Sequence, residues 1–210
     1  MYKTTTLTEM SAKYELNLNI ILKIQYLMSL GIKLGNEKGP WVAGGSMQKC
    51  FTNSELESSD IDIFIGNKEL TKMHISSCLR RNGFTETKTN DKVLTFHKDG
   101  LTVQTIIYPY YNVYELLNDF DFTVVKCAFD GENFIYHTNF IRDNLAKKLK
   151  FDFKIKTKNN TAARVIKYTK RGYKLSIQDA INLTVLNRET TSDLYKQKEE
   201  VQVNVKSFYS

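Results

Sequence analysis

The stretch WVAGGSMQKCFTNSELESSDIDIFIG, residues 41–66, decides the fold of this 210-residue chain. A short apolar run over residues 41–43 stops abruptly at Gly44-Gly45-Ser46, and a second apolar run over residues 61–65 carries an aspartate. Glycines between a strand and a helix leave the backbone without Cβ atoms, so that a ligand can approach it closely. The stretch therefore predicts a strand, a tight turn, a short helix over residues 47–51 and a second strand.

Two aspartates, Asp60 and Asp62, lie on one face of the second predicted strand, because alternate residues of a strand point the same way. Two carboxylates on one face repel each other unless a proton or a cation lies between them. Mg²⁺ suits this place, since it prefers hard oxygen ligands and keeps phosphate oxygens in its shell. The N–H groups of Gly44, Gly45 and Ser46 would face a bound anion. The turn and the carboxylates together predict a phosphoryl-transfer site.

This arrangement resembles the DNA polymerase β-like nucleotidyltransferase superfamily, whose pattern is an apolar residue, Gly, Gly or Ser, a spacer and Asp-apolar-Asp-apolar. Residues 43–46 (AGGS) and 60–63 (DIDI) match it, and residues 58–63 (SSDIDI) look most like the poly(A) polymerase and CCA-adding branch. The resemblance implies a mixed sheet, two Mg²⁺ ions (or Mn²⁺) held by the two aspartates, and transfer of a nucleoside monophosphate from a nucleoside triphosphate. It also implies that Gly45 and Ser46 contact the β- and γ-phosphates.

The family's third carboxylate, which helps to activate the acceptor hydroxyl, is not where the pattern places it. The expected strand, Leu101–Ile107, contains Gln104 at the middle of Val-Gln-Thr. A neutral amide can contact a metal or a substrate, but it is no useful base. Asp121, at the start of the strand predicted over residues 120–129, is a candidate replacement; the alternative is a polar residue that merely begins a strand. The predicted catalytic set is thus the aspartate pair with Gln104 or Asp121.

The positive charge of the chain is concentrated towards its C-terminus. Residues 142–210 hold 16 Lys and Arg against 7 Asp and Glu, whereas residues 1–141 hold 14 against 16. This asymmetry favours an anionic partner, such as nucleotide phosphates, nucleic acid or an anionic surface. A solvated basic face is the alternative.

A predicted helix over residues 161–173, with Thr161 as a candidate N-cap, presents part of this charge at helical spacing. Its basic residues are Arg164, Lys167, Lys170 and Arg171. With the glycine turn, the last three form the predicted nucleotide-binding set, because a basic face opposite carboxylates would hold a triphosphate or a nucleic-acid backbone. Tyr168 or Tyr173 could stack on a base. The alternative is a solvated cationic helix that packs its apolar side on the sheet.

The remaining patterns complete an α+β chain with a polymerase β-like mixed sheet flanked by helices. We predict one N-terminal helix with Ser11 as its cap, a helix over residues 69–82, and a hairpin around Asp99-Gly100. Further helices begin at Ser176 and Ser192. The division expected is a nucleotidyltransferase-like core with its N-terminal helix over residues 1–140, and a basic helical region over residues 141–210 packed on it.

Several classes of protein find no support in the sequence. There is no run of 18 apolar residues, no apolar stretch of a secretory signal in the first ten residues, and no CxxC pair among three widely spaced cysteines. We therefore expect a reduced, cytoplasmic protein with no membrane partner. Residues 120–123 and 164–173 also resemble nucleotidyltransferase-like proteins of viruses and phages, which implies the host cytoplasm.

The sequence therefore predicts an Mg²⁺-dependent nucleotidyltransferase that moves NMP from an NTP to an acceptor hydroxyl, with an RNA 3′ end favoured over a protein side chain or a small molecule. The alternative is a catalytically impaired nucleotide- or RNA-binding protein of the same fold, and a structural interaction protein is a weaker third reading. The oligomeric state stays open.

Overall fold

The computed structural model describes residues 1–35, 38–52, 60–66, 69–90, 92–107, 110–152 and 161–185. The strands of its main sheet are Tyr2–Thr6 (β1), Trp41–Ala43 (β2), Ile61–Ile65 (β3), Thr85–Asn90 (β4), Val93–Lys98 (β5), Leu101–Ile107 (β6), Cys127–Phe129 (β7) and Asn133–His137 (β8). The helices are Leu7–Lys13 (α1), Leu18–Ser29 (α2), Gly45–Lys49 (α3), Glu69–Arg81 (α4), Val113–Asn118 (α5), Phe140–Leu145 (α6) and Thr161–Lys170 (α7). Two short strands, Lys148–Leu149 (β9) and Lys174–Leu175 (β10), form a separate pair.

In the described part of the chain, the main sheet has eight strands in the order β1-β8-β7-β2-β3-β6-β5-β4. The pair β3–β6 is parallel, while the other neighbouring pairs are antiparallel. A parallel pair needs a crossover, and here the chain passes through α4, β4 and β5 before it returns as β6. The predicted α+β class with a mixed sheet is confirmed.

Both faces of the sheet are covered, and alternate residues of the central strands supply the two cores. Val42, Ile61 and Ile63 pack with α2 and α4 on one side. Trp41 and Phe64 pack with α5 on the other. The two faces are therefore set by the period of two within each strand.

The N-terminus differs from the single helix predicted with Ser11 as its cap, and that prediction was wrong. Residues 2–6 form the edge strand β1, paired antiparallel with β8, because the β-branched run Thr4-Thr5-Thr6 suits a strand. Thr6 then caps α1 in a capping box with Glu9, and Asn17 caps α2. Ser11 lies inside α1.

The long strand predicted over residues 120–129 was also wrong. Residues 123–125 form one turn of 3₁₀-helix, and β7 is confined to residues 127–129. Buried polar groups break the strand: Thr123 Oγ1 donates to Asp143 Oδ2 at 2.7 Å, and the fully buried Lys126 pairs with Asp152 at 2.9 Å. These partners lie outside the sheet, so the backbone turns to reach them.

The C-terminal elements pack around a third apolar cluster that joins them to residues 122–125. Its buried members include Phe122, Phe151, Tyr168, Tyr173 and Leu183. The chain reverses after α7 at Gly172 (φ = 81°), where Tyr173 N–H donates to Tyr168 O and Gly172 N–H to Thr169 O in a Schellman motif. Residues 177–185 are helical, with Ser176 Oγ accepting from Asp179 N–H as predicted for a cap, whereas Ser192 lies outside the described residues.

Within the described ranges, no helix is both long enough and apolar enough to span a membrane.

Candidate active site

A cavity of about 850 Å³ opens on the sheet face that carries Asp62. Asp62 and Phe64 of β3 line it beside Gln104 and Ile106 of β6. These four residues share one face because the two strands are parallel and in register, with Asp62 opposite Gln104. The cavity is therefore built on the middle of the sheet, at its parallel pair.

The glycine turn forms one edge of this cavity. Gly44 has φ = 74° and ψ = −128°, a conformation that L side chains rarely adopt, and its N–H donates to Cys127 O at 3.1 Å. A Cβ on Gly44 would lie 3.4 Å from the Phe120 ring, whereas a Cβ on Gly45 would meet no described atom within 4 Å. The backbone at Gly45 thus faces open space.

Ser46 ties the turn to the strand of aspartates. Its hydroxyl donates to Asp60 O at 2.9 Å and accepts from Asp62 N–H at 3.1 Å, and the residue is buried. The side chain therefore positions α3 against the start of β3. Contact of Ser46 with a phosphate stays a prediction, and its hydroxyl is already engaged with the backbone.

The two aspartates differ in their surroundings. Asp60 is exposed, whereas Asp62 is partly buried and lines the cavity. Burial, and then the negative charge of Asp60, raise the pKa of Asp62 from 3.8 to about 7, although Lys167 and Lys49 act in the opposite direction. The carboxylates are therefore close enough to repel, and a cation beside them would relieve that repulsion.

Asp121 and residues of α7 also line the cavity. Arg164 Nε donates to Asp121 Oδ2 at 2.8 Å, and Thr161 Oγ1 donates to the same oxygen at 3.0 Å. Asp121 is 4% exposed, so these bonds satisfy a buried carboxylate. Thr161 is not a free N-cap, since it is the first residue of α7 and its hydroxyl holds Asp121.

The predicted nucleotide-binding cations separate into two groups. Lys167 lines the cavity and acts on the pKa of Asp62. Lys170 and Arg171 are not among the described residues that line it, and the guanidinium of Arg171 lies over the Tyr168 ring, 5.7 Å from its centroid. The helical spacing placed Arg171 on the Lys167 face, but α7 ends at Lys170, so Arg171 belongs to the turn that follows. Nucleotide binding by Lys170 and Arg171 stays a prediction, as it does for Lys167.

The donor set fits a hard divalent cation. Asp60 and Asp62 supply carboxylate oxygens, and Mg²⁺ characteristically takes one or two carboxylates and completes its shell with phosphates and water. A closed cage is not present: in the described ranges, no group of three or more His, Cys, Asp or Glu side chains is placed to hold a metal. The residues thus fit Mg²⁺ that arrives with a phosphate ligand.

Comparison with known proteins identifies the family. A family model described as Gabija anti-defense 2 family protein matches residues 15–147. The chain belongs to this family. The matched range includes the glycine turn, both aspartates, Gln104 and Asp121, and it ends before α7.

A curated member, Gabija anti-defense 2 of Bacillus phage SPbetaL7, is 29% identical over 159 residues. The match covers 74% of this chain and 39% of the relative, so the chain spans about two fifths of that protein's length. The expectation of a phage-like protein is confirmed by this family.

Solved structures of CCA-adding enzymes share the fold. The Thermotoga maritima CCA-adding enzyme complexed with tRNA has a TM-score of 0.62 at 16% identity, covering 89% of this chain and 46% of that one. A CCA-adding enzyme with CTP gives 0.62 at 14% identity over 90% and 46%, and one with ATP gives 0.60 at 13% over 93% and 48%. The fold of this family member is therefore similar to that of CCA-adding enzymes.

Several residues of this family member's cavity are absent from the predicted site. Asp119 lines it and accepts from Tyr110 O–H at 2.6 Å, and Phe120 packs edge-on against Phe64. Arg164 was predicted on the basic helix but not in the binding set. The sequence signal for Asp119 was the pair of acids in Asp-Phe-Asp-Phe, residues 119–122. A regular strand pattern did not reveal the turn at residues 123–125 that follows the two acids.

Proposed function

We propose that this chain is a nucleotidyltransferase domain of an anti-defence protein, which binds an NTP with Mg²⁺ (or Mn²⁺) and moves NMP to a hydroxyl of a nucleic-acid acceptor, an RNA 3′ end. The observation that carries the proposal is the single cavity in which Asp62, with its raised pKa, faces Arg164 and Lys167. A cavity that contains a carboxylate, two cations and an open glycine backbone suits a metal-bound triphosphate better than a neutral ligand.

The cavity walls suggest how the nucleotide lies. Lys167 and the open backbone at Gly45 supply positive charge and N–H donors for the triphosphate. The half-buried aromatic rings of Tyr110 and Phe120 also line the cavity and give the base or the ribose an apolar wall. Phosphates would thus lie near the glycine turn, with the nucleoside towards the aromatic wall.

Asp60 and Asp62 would hold the metal. Bound Mg²⁺ would neutralise developing charge on the phosphates and on the attacking hydroxyl. Because the pKa of Asp62 is raised, a proton competes with the metal for its carboxylate near neutral pH, and a bound cation would favour the ionised form.

The proton of the acceptor hydroxyl needs a base other than Gln104. Asp121 lines the same cavity, and Arg164 and Thr161 fix its carboxylate through Oδ2. We assign to Asp121 the role of accepting that proton, with Gln104 as a contact to substrate. Its bonds to Arg164 and Thr161 hold it in one orientation, as general-base catalysis requires.

A second candidate function is nucleotide or nucleic-acid binding without turnover. The observation in its favour is that Gln104 occupies the position opposite Asp62, and that Asp121 is already ion-paired to Arg164. In either case we extend to this chain the role that the relative's name gives, opposition to Gabija.

The experiment is incubation of the purified chain with each α-³²P-labelled NTP, Mg²⁺ or Mn²⁺ and total RNA, followed by a denaturing gel. Asp62→Asn removes the central carboxylate at constant size, and Asp99→Asn is the matched control in the exposed β5–β6 turn, where asparagine tolerates φ = 47°. Label transfer by wild type and Asp99→Asn, lost in Asp62→Asn, supports the transferase. ATP or CTP binding without transfer under any condition supports the second candidate.

A further inference from the structure

A cluster of cations lies beyond the C-terminal end of α7. The parallel strands β9 and β10 pair Lys148 with Lys174 and Leu149 with Leu175. Register partners on neighbouring strands lie about 5 Å apart, with side chains on the same side. Leu149 is buried, whereas Lys148 and Lys174 are both exposed. Two exposed lysine side chains therefore leave neighbouring backbone positions on the same side, an arrangement that costs rather than adds stability.

Two further cations adjoin this pair. Lys174 N–H donates to Lys147 O at 2.8 Å, and Lys147 Nζ lies 4.7 Å from the centroid of the Tyr173 ring. Burial, and then the charge of Arg171, lower the pKa of Lys147, which places these two cations near each other. We call Lys147, Lys148, Arg171 and Lys174 the basic ridge.

The acids of the neighbouring segments have partners away from the basic ridge. Asp143 accepts from Thr123 and from Arg142, and Asp152 pairs with Lys126. Asp179 accepts from Ser176 at the start of helix 177–185. Glu15 is exposed and lines a small cleft together with Lys147. In the part of the chain that the structure describes, this one acid beside four cations leaves the ridge with a net positive charge.

Buried rings set the kind of contact that the ridge can make. Arg171 lies over the ring of Tyr168 and Lys147 over the ring of Tyr173, and both tyrosines are buried. The two rings offer no exposed face on which a base could stack. The ridge therefore presents positive charges but no aromatic surface that could recognise a base. Such a ridge recognises a repeated phosphate charge irrespective of sequence.

We propose that the basic ridge binds the phosphodiester backbone of a nucleic-acid strand and so holds the acceptor beside the cavity. The proposal deepens the proposed function and rests on it in one respect, that the bound strand is the acceptor. Helix α7 joins the two places: Lys167 lines the cavity, α7 ends at Lys170, about 4.5 Å further along the axis, and Arg171 follows it directly. One strand can therefore contact the ridge and reach the cavity.

The test is fluorescence anisotropy with the full chain and a fluorescein-labelled 20-nucleotide RNA, and with DNA of the same sequence, over a series of salt concentrations. The variant is Lys148→Glu with Lys174→Glu, and the neutral pair Lys148→Gln with Lys174→Gln guards against misfolding. Lys3→Glu with Lys33→Glu is the matched control, since both lysines are exposed elsewhere on the fold. Circular dichroism checks that all variants fold.

We expect the reversal to raise Kd at least tenfold, with a smaller rise for the neutral pair and none for the control. The salt slope should become less negative by roughly 1.4, because each phosphate contact to a single strand contributes about 0.7. Equal effects on RNA and DNA support a backbone contact, and a larger effect on RNA supports an added 2′-hydroxyl contact. Kd values for the ridge variants equal to that of the control, or no binding of either strand by wild type, overturn the proposal.

The same assay separates the two proposals. If label transfer is absent while ridge-dependent binding persists, the transferase fails and the ridge stands as a nucleic-acid surface. If transfer occurs and the ridge variants transfer and bind as wild type, the ridge proposal alone fails.

Discussion

Asp62 and Gln104 are Cα partners across the parallel strands β3 and β6, so an acid and an amide lie side by side on the floor of the cavity. This relationship divides the candidate site into two halves. On one side Asp60 and Asp62 would provide the negative charge for the proposed metal, and on the other the neutral Gln104 adds none. The charge at this pair of positions should therefore affect both the affinity for a cation and the stability of the metal-free protein.

Gln104→Glu is expected to destabilise the metal-free protein and to tighten Mn²⁺ and Mg²⁺ binding. A third carboxylate beside Asp62 adds like-charge repulsion of about 1–3 kcal/mol at this separation, and a divalent cation relieves it. The measurement is chemical unfolding in EDTA at pH 8, together with calorimetric metal titration. Gln104→Met is the uncharged control of similar length. Unchanged metal affinity in Gln104→Glu would show that Gln104 does not face the metal.

Asp62→Asn should stabilise the metal-free protein, increasingly so as the pH rises from 4 to 8. Burial and Asp60 raise the pKa of Asp62 to about 7 in the folded protein, above its ordinary 3.8. The folded state thus retains a proton that the unfolded chain releases. The stability contributed by that proton is fully present below pH 3.8 and is lost as the pH rises through 7. The difference between variant and wild type should grow by about 2–4 kcal/mol across this window.

Urea unfolding of both proteins in EDTA at pH 4, 6 and 8 measures this difference. Asp99→Asn, on the exposed hairpin turn, should show no such growth. A constant difference between Asp62→Asn and wild type at all three pH values would contradict the raised pKa.

Alanine substitutions at Gly44 and Gly45 should separate folding from binding. Gly44→Ala forces a Cβ into φ = 74° and is expected to cost about 1–3 kcal/mol of stability. Gly45→Ala meets no described atom within 4 Å and should leave stability unchanged or slightly higher. Its methyl group would nevertheless lie where we place the phosphates, so ATP affinity should fall at least tenfold. Thermal unfolding and ATP calorimetry measure the two effects. If Gly45→Ala binds ATP as tightly as wild type, the phosphates do not lie at the glycine turn.

The sequence predicted the half of the site that is local along the chain. The glycine turn, Asp60 and Asp62 lie within one strand-turn-helix-strand stretch, and Gln104 follows from the pairing of two regular strands. Period and spacing govern such positions. Gly44, Gly45, Asp62 and Gln104 line one cavity, whereas Asp60 and Ser46 are not among its described lining residues.

The other half depends on side-chain contacts between distant segments, which no local pattern records. Asp121 meets Arg164 across 43 positions, and Gln48 Nε2 donates to Tyr173 O–H at 2.6 Å across 125. Buried polar bonds of this kind override strand propensity, which is why residues 123–125 turn out of the predicted strand.

Lys167→Ala and Lys170→Ala provide the sharpest comparison on α7, because both remove one exposed cation from the same helix. Lys167 lines the cavity and acts on Asp62, whereas Lys170 is not among the described lining residues. We expect Lys167→Ala to weaken ATP binding about tenfold in the presence of Mg²⁺, since a charge-assisted contact to phosphate contributes roughly 1.5–3 kcal/mol. Lys170→Ala should bind as wild type, and neither variant should shift the unfolding midpoint, because exposed lysines add little to stability. ATP calorimetry at one salt concentration measures both affinities. Equal losses of ATP affinity in the two variants would show that Lys167 makes no specific contact and that α7 contributes only general positive charge.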